Sequence, residues 1–208
     1  MHSALFQNSS LAVGDVGSKA HHLHRLTEEG FRVPPFIAIS KHDVSLLFGD
    51  AIAQVEALFA PFSGFHISPS QDGDLSSAPS PETMSRLMET CTQAEALLLE
   101  FEPDAVLLDA LMQRATDVFG PNFCISVRSS AISEDASDAS FAGQQETILN
   151  VHGLDRIAAA IKVVFASLYN DRAIAYRVHQ HFPHNKVLLS AGIQKMVRSD
   201  LGASGVMF

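Results

Sequence analysis

Residues 125–151, ISVRSSAISEDASDASFAGQQETILNV, place an arginine where an apolar strand gives way to a loop of hydroxyls and small side chains, before a second strand begins. Such a loop has little to bury and many backbone N–H groups to offer. Arg128 adds a cation on a stiff strand, and a guanidinium pre-positioned beside backbone amides is equipment for holding phosphate oxygens. Two readings of Arg128 stand side by side. It clamps phosphate in a bidentate way that lysine would not reproduce, or it pairs with Glu134 or Asp135 and pins its own loop. The small-residue turn at residues 140–145, which includes Gly143, is likewise either a place where backbone meets a ligand closely or a plain hairpin turn.

A second cation stands in VGDVGSK, residues 13–19, a glycine-punctuated loop that leads into a helix. It is not a Walker A motif, which requires G-x-x-x-x-G-K-S/T, because Ser18 precedes Lys19 and Ala20 follows it. Base rates favour a simple turn followed by a lysine. Lysine is nevertheless unusual at a helix N-terminus, where the dipole prefers anions, and an anionic ligand docked there would give it a role. Further on, Gln194 and Lys195 close an apolar strand. Such a strand end can offer backbone to an adenine edge, with Gln194 and Lys195 reaching the base or its phosphates. His21, His22 and His24 form a cluster, but no nearby cysteine or carboxylate completes a metal-ligand set, so a solvated helix face is the simpler account. No Ser/His/Asp constellation or paired-carboxylate motif emerges.

Helices and strands must hold these groups. Helical spacing at Ala20, Leu23 and Leu26 closes at Gly30. Pro34 and Pro35 exclude helix and lead into a buried strand at residues 36–39. Ser40 with Asp43 predicts a capping box opening the next helix. Residues 61–81 turn to Ser, Pro, Gly and Asp and read as a flexible surface insertion. Ser80 and Pro81 then start a helix as N-cap and first residue, Pro103 is expected to do the same for a helix reaching Phe119, and Gly120-Pro121 ends it. Residues 123–127 and 147–151 read as paired strands, and Leu154 onward as an amphipathic helix. Residues 187–197 and 204–208 read as strands around a polar RSDLGA turn. Hairpins mixed with helices predict an α+β fold.

The 208 residues, 47% hydrophobic and 18% charged, suffice for one sizeable domain with a real core. A net charge of −9 with no basic block argues against nucleic acid as a partner. Cys91 and Cys124 lack C-x-x-C spacing and read as reduced, buried thiols of a cytoplasmic protein. No apolar run reaches the roughly 20 residues of a membrane span, and no signal peptide is visible.

In combination and order, VGDVGSKAHHL, the VP after the first helix, SVRSSAISEDASDASFAGQQETILNV, VFASLYNDRAIAYR and IQKMVRSDLGASGVMF resemble the nucleotide-binding region of the phosphoenolpyruvate synthase and pyruvate, phosphate dikinase family. The resemblance covers most of the chain outside roughly residues 40–120. It implies an ATP-grasp fold, with ATP held between two α+β lobes, over residues 1–208 as one ATP-binding region. It implies that Lys19 and Arg128 contact ATP phosphates, that Gly143 and Thr147 line the phosphate loop, and that Gln194 lies at the nucleotide hinge. Family enzymes convert ATP, pyruvate and water to AMP, phosphoenolpyruvate and phosphate, through a histidine on a swivelling domain.

Ser18 stands here where that family usually has glycine. The family's Mg²⁺ ligands, the completion of the second lobe, the phosphohistidine domain and the pyruvate-binding barrel are expected beyond Phe208, and no histidine here sits in a T-x-H-x-A setting. The chain alone is thus expected to hold at most half a nucleotide site and no complete reaction cycle. A rifampicin-type antibiotic phosphotransferase would use the same ATP domain. A noncatalytic module that binds nucleotide or a partner chain is the third reading, with self-association through an exposed terminal strand.

Overall fold

The computed structural model describes residue 6 and residues 11–62, 80–131, 146–179 and 189–205. The expected insertion at 61–81, apart from its ends, and most of the expected strand at 204–208 lie outside these residues. So do Gly143, Glu134 and Asp135.

In chain order the elements are α1 (Val13–Glu28), β1 (Phe36–Ile39), α2 (Lys41–Phe48), α3 (Asp50–Phe59), α4 (Pro81–Glu100), α5 (Ala105–Phe119), β2 (Ile125–Ala131), β3 (Thr147–Val151), α6 (Leu154–Ala166), α7 (Asp171–His179) and β4 (Leu189–Lys195). The strands form one antiparallel sheet in the order β1-β4-β2-β3, so the last described strand lies in its middle. The fold is α+β, as the mixture of hairpins and helices predicts.

Alternation along the strands gives the sheet two unlike faces. Ile37, Ile39, Ile125, Val127, Ala191 and Ile193 point one way, into the main core, where α6 packs against β2, β3 and β4. Phe36, Ala38, Ser126, Arg128, Ser130, Ser190, Gly192 and Gln194 point the other way. On that second face α1 is laid down over a small cluster of Leu11, Val16, Ala20 and Ala38, with Phe36 at its margin.

Local signals explain most helix ends. Ser40 Oγ accepts from Asp43 N at 3.2 Å, and Asp43 Oδ2 accepts from Ser40 N at 2.9 Å, the reciprocal bonds of a capping box. Ser40→Ala should therefore cost about 1 kcal/mol of stability, read as a lower urea midpoint at unchanged m-value. Ser80 caps α4 with Pro81 in its first turn. The start of α5 differs from expectation by two residues. Its cap is Asp104, whose Oδ1 accepts from Val106 N at 2.7 Å and Leu107 N at 3.2 Å, while Pro103 stands outside. A side-chain acceptor satisfies orphan amides, which proline cannot do.

The largest fully buried polar side chain is Arg177 of α7. One guanidinium nitrogen donates to the Leu168 carbonyl, and the group lies 5.6 Å from the centre of the Tyr169 ring. Burial pushes the Cys91 thiol and the Tyr169 phenol each up to about 12, against the opposing pull of Arg177. Folding thus favours the protonated thiol. The contribution of Cys91 is whole below its ordinary value of 9.0 and is lost as pH rises toward 12. The stability margin of the wild type over Cys91→Ala should shrink between about pH 9 and 12, and a constant margin in thermal melts would contradict this. Cys124 is only half-buried, so the expectation of two buried thiols holds for Cys91 alone. Among the described residues no single helix is long and apolar enough to cross a membrane.

Candidate functional site

Arg128, Thr147 and Gln194 share the second sheet face, which polar and small residues line. Arg128, in the middle of β2, pairs with Thr147 of β3 on one side and Gly192 of β4 on the other. Its stem runs over Gly192, where a side-chain carbon would stand 3.6 Å from Arg128 Cγ. Small size at Gly192 lets the guanidinium stem lie close to the sheet. The Nε atom of Arg128 is buried and has no acceptor among the described residues. A buried donor without an acceptor costs free energy and an anion would satisfy it, although the core guanidinium of Arg177 leaves two nitrogens in the same condition.

Thr147 is exposed beside Arg128 at the start of β3. Leu149, two residues on and 55% exposed, presents an apolar side chain on the same face. Gln194, in register with Phe36 of β1 and Ser126 of β2, is half-buried. Its side-chain Nε2 donates to the Pro34 carbonyl at 3.5 Å, and its backbone carbonyl accepts from Ser126 Oγ at 3.4 Å. Phe36 thus adds an aromatic ring next to Gln194, a position that reads in sequence only as part of a buried strand.

Lys195 does not join this face. Its ammonium donates to the Phe119 carbonyl at 3.1 Å, at the C-terminus of α5, where a helix dipole favours a cation. The alternation that turns Gln194 toward the site turns Lys195 away, which corrects the expectation that both reach a nucleotide. The backbone amides of Lys195 and Met196 are also committed, to Pro35 O and Cys124 O, each at 2.9 Å. Beyond them, Arg198 closes the polar RSDLGA turn with a two-nitrogen fork on Asp200, at 2.8 and 2.6 Å.

The glycine segment differs from the expected open loop. Residues 13–16 already form a helical turn, and Gly17, with φ 73° and ψ 167°, breaks the helix before it starts again at Ser18. Lys19 is the second residue after the break and is half-buried. The buried residues of α1 are Val16, Gly17, Ser18 and Ala20, so the helix docks by this turn while its later turns are largely exposed. Ala20 N donates to Ser130 Oγ at 3.2 Å, and Ser190 Oγ lies between the carbonyls of Ser130, at 2.7 Å, and Val16. The break therefore rests directly on the strand that carries Arg128.

The histidines find other partners. His21 Nδ1 is 2.7 Å from the Leu11 carbonyl, and His24 lies 3.3 Å from Glu28 one turn on. Among the described residues no group of three or more His, Cys, Asp or Glu side chains is arranged to hold a metal ion.

The helix turn that carries Lys19 thus rests on the strand that carries Arg128, over a polar sheet face. The family model for the pyruvate phosphate dikinase AMP/ATP-binding domain matches residues 13–208, and the chain belongs to this family. Its relatives include the phosphoenolpyruvate synthases of Neisseria meningitidis, 60% identical over 105 residues, and of Escherichia coli, 57% identical over 110 residues. These matches take in 50% and 52% of this chain but only 13% and 14% of the relatives. A probable phosphoenolpyruvate synthase of Pyrococcus abyssi is 36% identical over 218 residues, which is 93% of this chain and 26% of that relative.

Proposed function

We propose that this chain is the ATP-holding part of a phosphotransferase of the phosphoenolpyruvate synthase kind, and that its polar sheet face is one wall of an ATP-grasp site. The observation that carries the reading is the buried Arg128 Nε without an acceptor, aligned on the sheet with Thr147 and Gly192. In this reading Arg128 and Lys19 take the phosphate oxygens, Thr147 and Gly143 border them, and Gln194 marks the base end. Phe36 and Leu149 supply apolar surface for the base. Residues 1–208 act together as one nucleotide-binding region.

Magnesium enters as the counter-ion of the triphosphate. The described residues do not fit a magnesium site of their own, because no suitable ligand group stands among them. Pyruvate, the phosphocarrier histidine and turnover belong in this proposal to parts of a longer protein, and the chain alone is not competent for the reaction. Cytoplasmic location goes with the same reading.

Isothermal titration with ATP and Mg²⁺ tests it. Saturable binding is the expected result. No heat at millimolar nucleotide would sink the reading in favour of a noncatalytic interaction module.

A further inference from the structure

Gly17 interrupts α1, and the turn that begins after it needs acceptors for its first amides. Ordinarily the residue at the break would supply one through a Ser, Thr, Asp or Asn side chain bonded to the amide two or three residues on. Gly17 has no side chain. The acceptor for the amide three residues on, Ala20 N, is Ser130 Oγ, which comes from a strand more than a hundred residues away in sequence. Ser130 therefore does for this helix what an N-cap residue does, but from the sheet.

That substitution has a geometric consequence. A cap within the helix moves with the helix, whereas a cap from β2 ties the Lys19 turn to the strand bearing Arg128. Arg128 and Ser130 are two residues apart on the same face of β2. The tie is tight. A side-chain carbon at Gly17 would come within 2.3 Å of the Ser130 carbonyl oxygen, so backbone meets backbone there. Ser190 Oγ braces the Ser130 carbonyl from β4. Ser130 and Ser190 are both fully buried, and the exposed later turns of α1 can do little to hold Lys19 in place.

We infer that Ser130 is a positioning residue. Its hydroxyl caps the Lys19 turn from β2 and so sets the lysine relative to Arg128, holding the two cations at a fixed separation for one polyphosphate. The inference rests on the proposed ATP site. It adds a residue that touches no ligand and acts through Lys19.

The test is a double-mutant cycle in which affinity for ATP with Mg²⁺ is measured for wild type, Ser130→Ala, Lys19→Ala and the double variant. Ser130→Ala should weaken ATP by about fivefold, the usual effect of losing a cap, and expose the Ala20 amide to faster hydrogen exchange. In the Lys19→Ala background the same change should have almost no further effect on ATP, because the group it positions is gone. A general structural role predicts the opposite, an equal loss in both backgrounds, and that result would overturn the inference. Equal ATP affinity in wild type and Ser130→Ala would overturn it too. Should Ser130→Ala fail to fold, Ser190→Ala, which removes the brace and leaves the cap, should give the same non-additive pattern with a smaller loss, and additivity there counts equally against the inference. Absence of ATP binding by the wild type is a separate result, which removes the site and the inference together.

Discussion

Arg128→Ala should weaken ATP binding by roughly 100-fold or more while leaving the fold intact or slightly more stable. The two effects have one origin. A guanidinium that meets phosphate through two charge-assisted hydrogen bonds contributes about 1.5–3 kcal/mol for each, so losing both weakens binding by roughly 100-fold or more. Yet the buried Nε has no acceptor among the described residues, so in the folded chain without ligand it is a desolvated donor whose removal relieves a cost. Titration with ATP and Mg²⁺ alongside a urea melt reads both quantities. Arg128→Lys keeps the charge and loses the planar fork, and should recover only part of the affinity. If the arginine instead pins its own loop, the pattern reverses. Stability would then drop on Arg128→Ala, and ATP affinity would fall no further than the unfolding explains.

Gly17→Ala is the substitution expected to damage the fold most. Gly17 has φ 73° and ψ 167°, a region open to glycine and costly to other residues by about 1–3 kcal/mol. The added carbon would also stand 2.3 Å from the Ser130 carbonyl oxygen and 2.6 Å from Ser130 Oγ. Backbone cannot yield as a side chain does, so overpacking adds about 1–3 kcal/mol more. A matched control separates the terms. Gly153, with φ 77° and ψ 160° before α6, has no atom within 4 Å of such a carbon, so Gly153→Ala carries the backbone cost alone. Gly17→Ala should lower the unfolding free energy by clearly more than Gly153→Ala in the same denaturation experiment. Equal losses would mean that α1 shifts freely on the sheet, which would also undercut a fixed Lys19.

Much of the local structure is legible in the chain because its causes are local. Ser40 with Asp43, Ser80 with Pro81, and Gly120 before Pro121 mark helix ends through bonds and steric limits that span a few residues. The apolar alternation of residues 123–127 and the helical spacing from Leu154 report burial directly. The error at Pro103 is of the same kind, since Asp104 satisfies two amides and proline none. The glycine segment was harder to read, because a helix broken by one residue and an open glycine loop present the same letters. Only contact with Ser130 shows why the break must fall at Gly17.

The candidate site divides along the same line. By itself the sequence determined the residue types suited to phosphate, Lys19 and Arg128, and, through the ordered motifs, the family to which the chain belongs. It also determined an α+β composition of elements, since that follows from periodicity. The tertiary structure alone decided that β4 runs between β1 and β2, because strand order depends on pairing between distant segments and leaves no local mark. That order puts Gly192 under Arg128 and Gln194 on the site face, and it sends Lys195 to the end of α5. It also brings Ser130 and Ser190 to the broken turn of α1, so the seat of that turn on the sheet is set by hydrogen bonds between residues far apart in sequence.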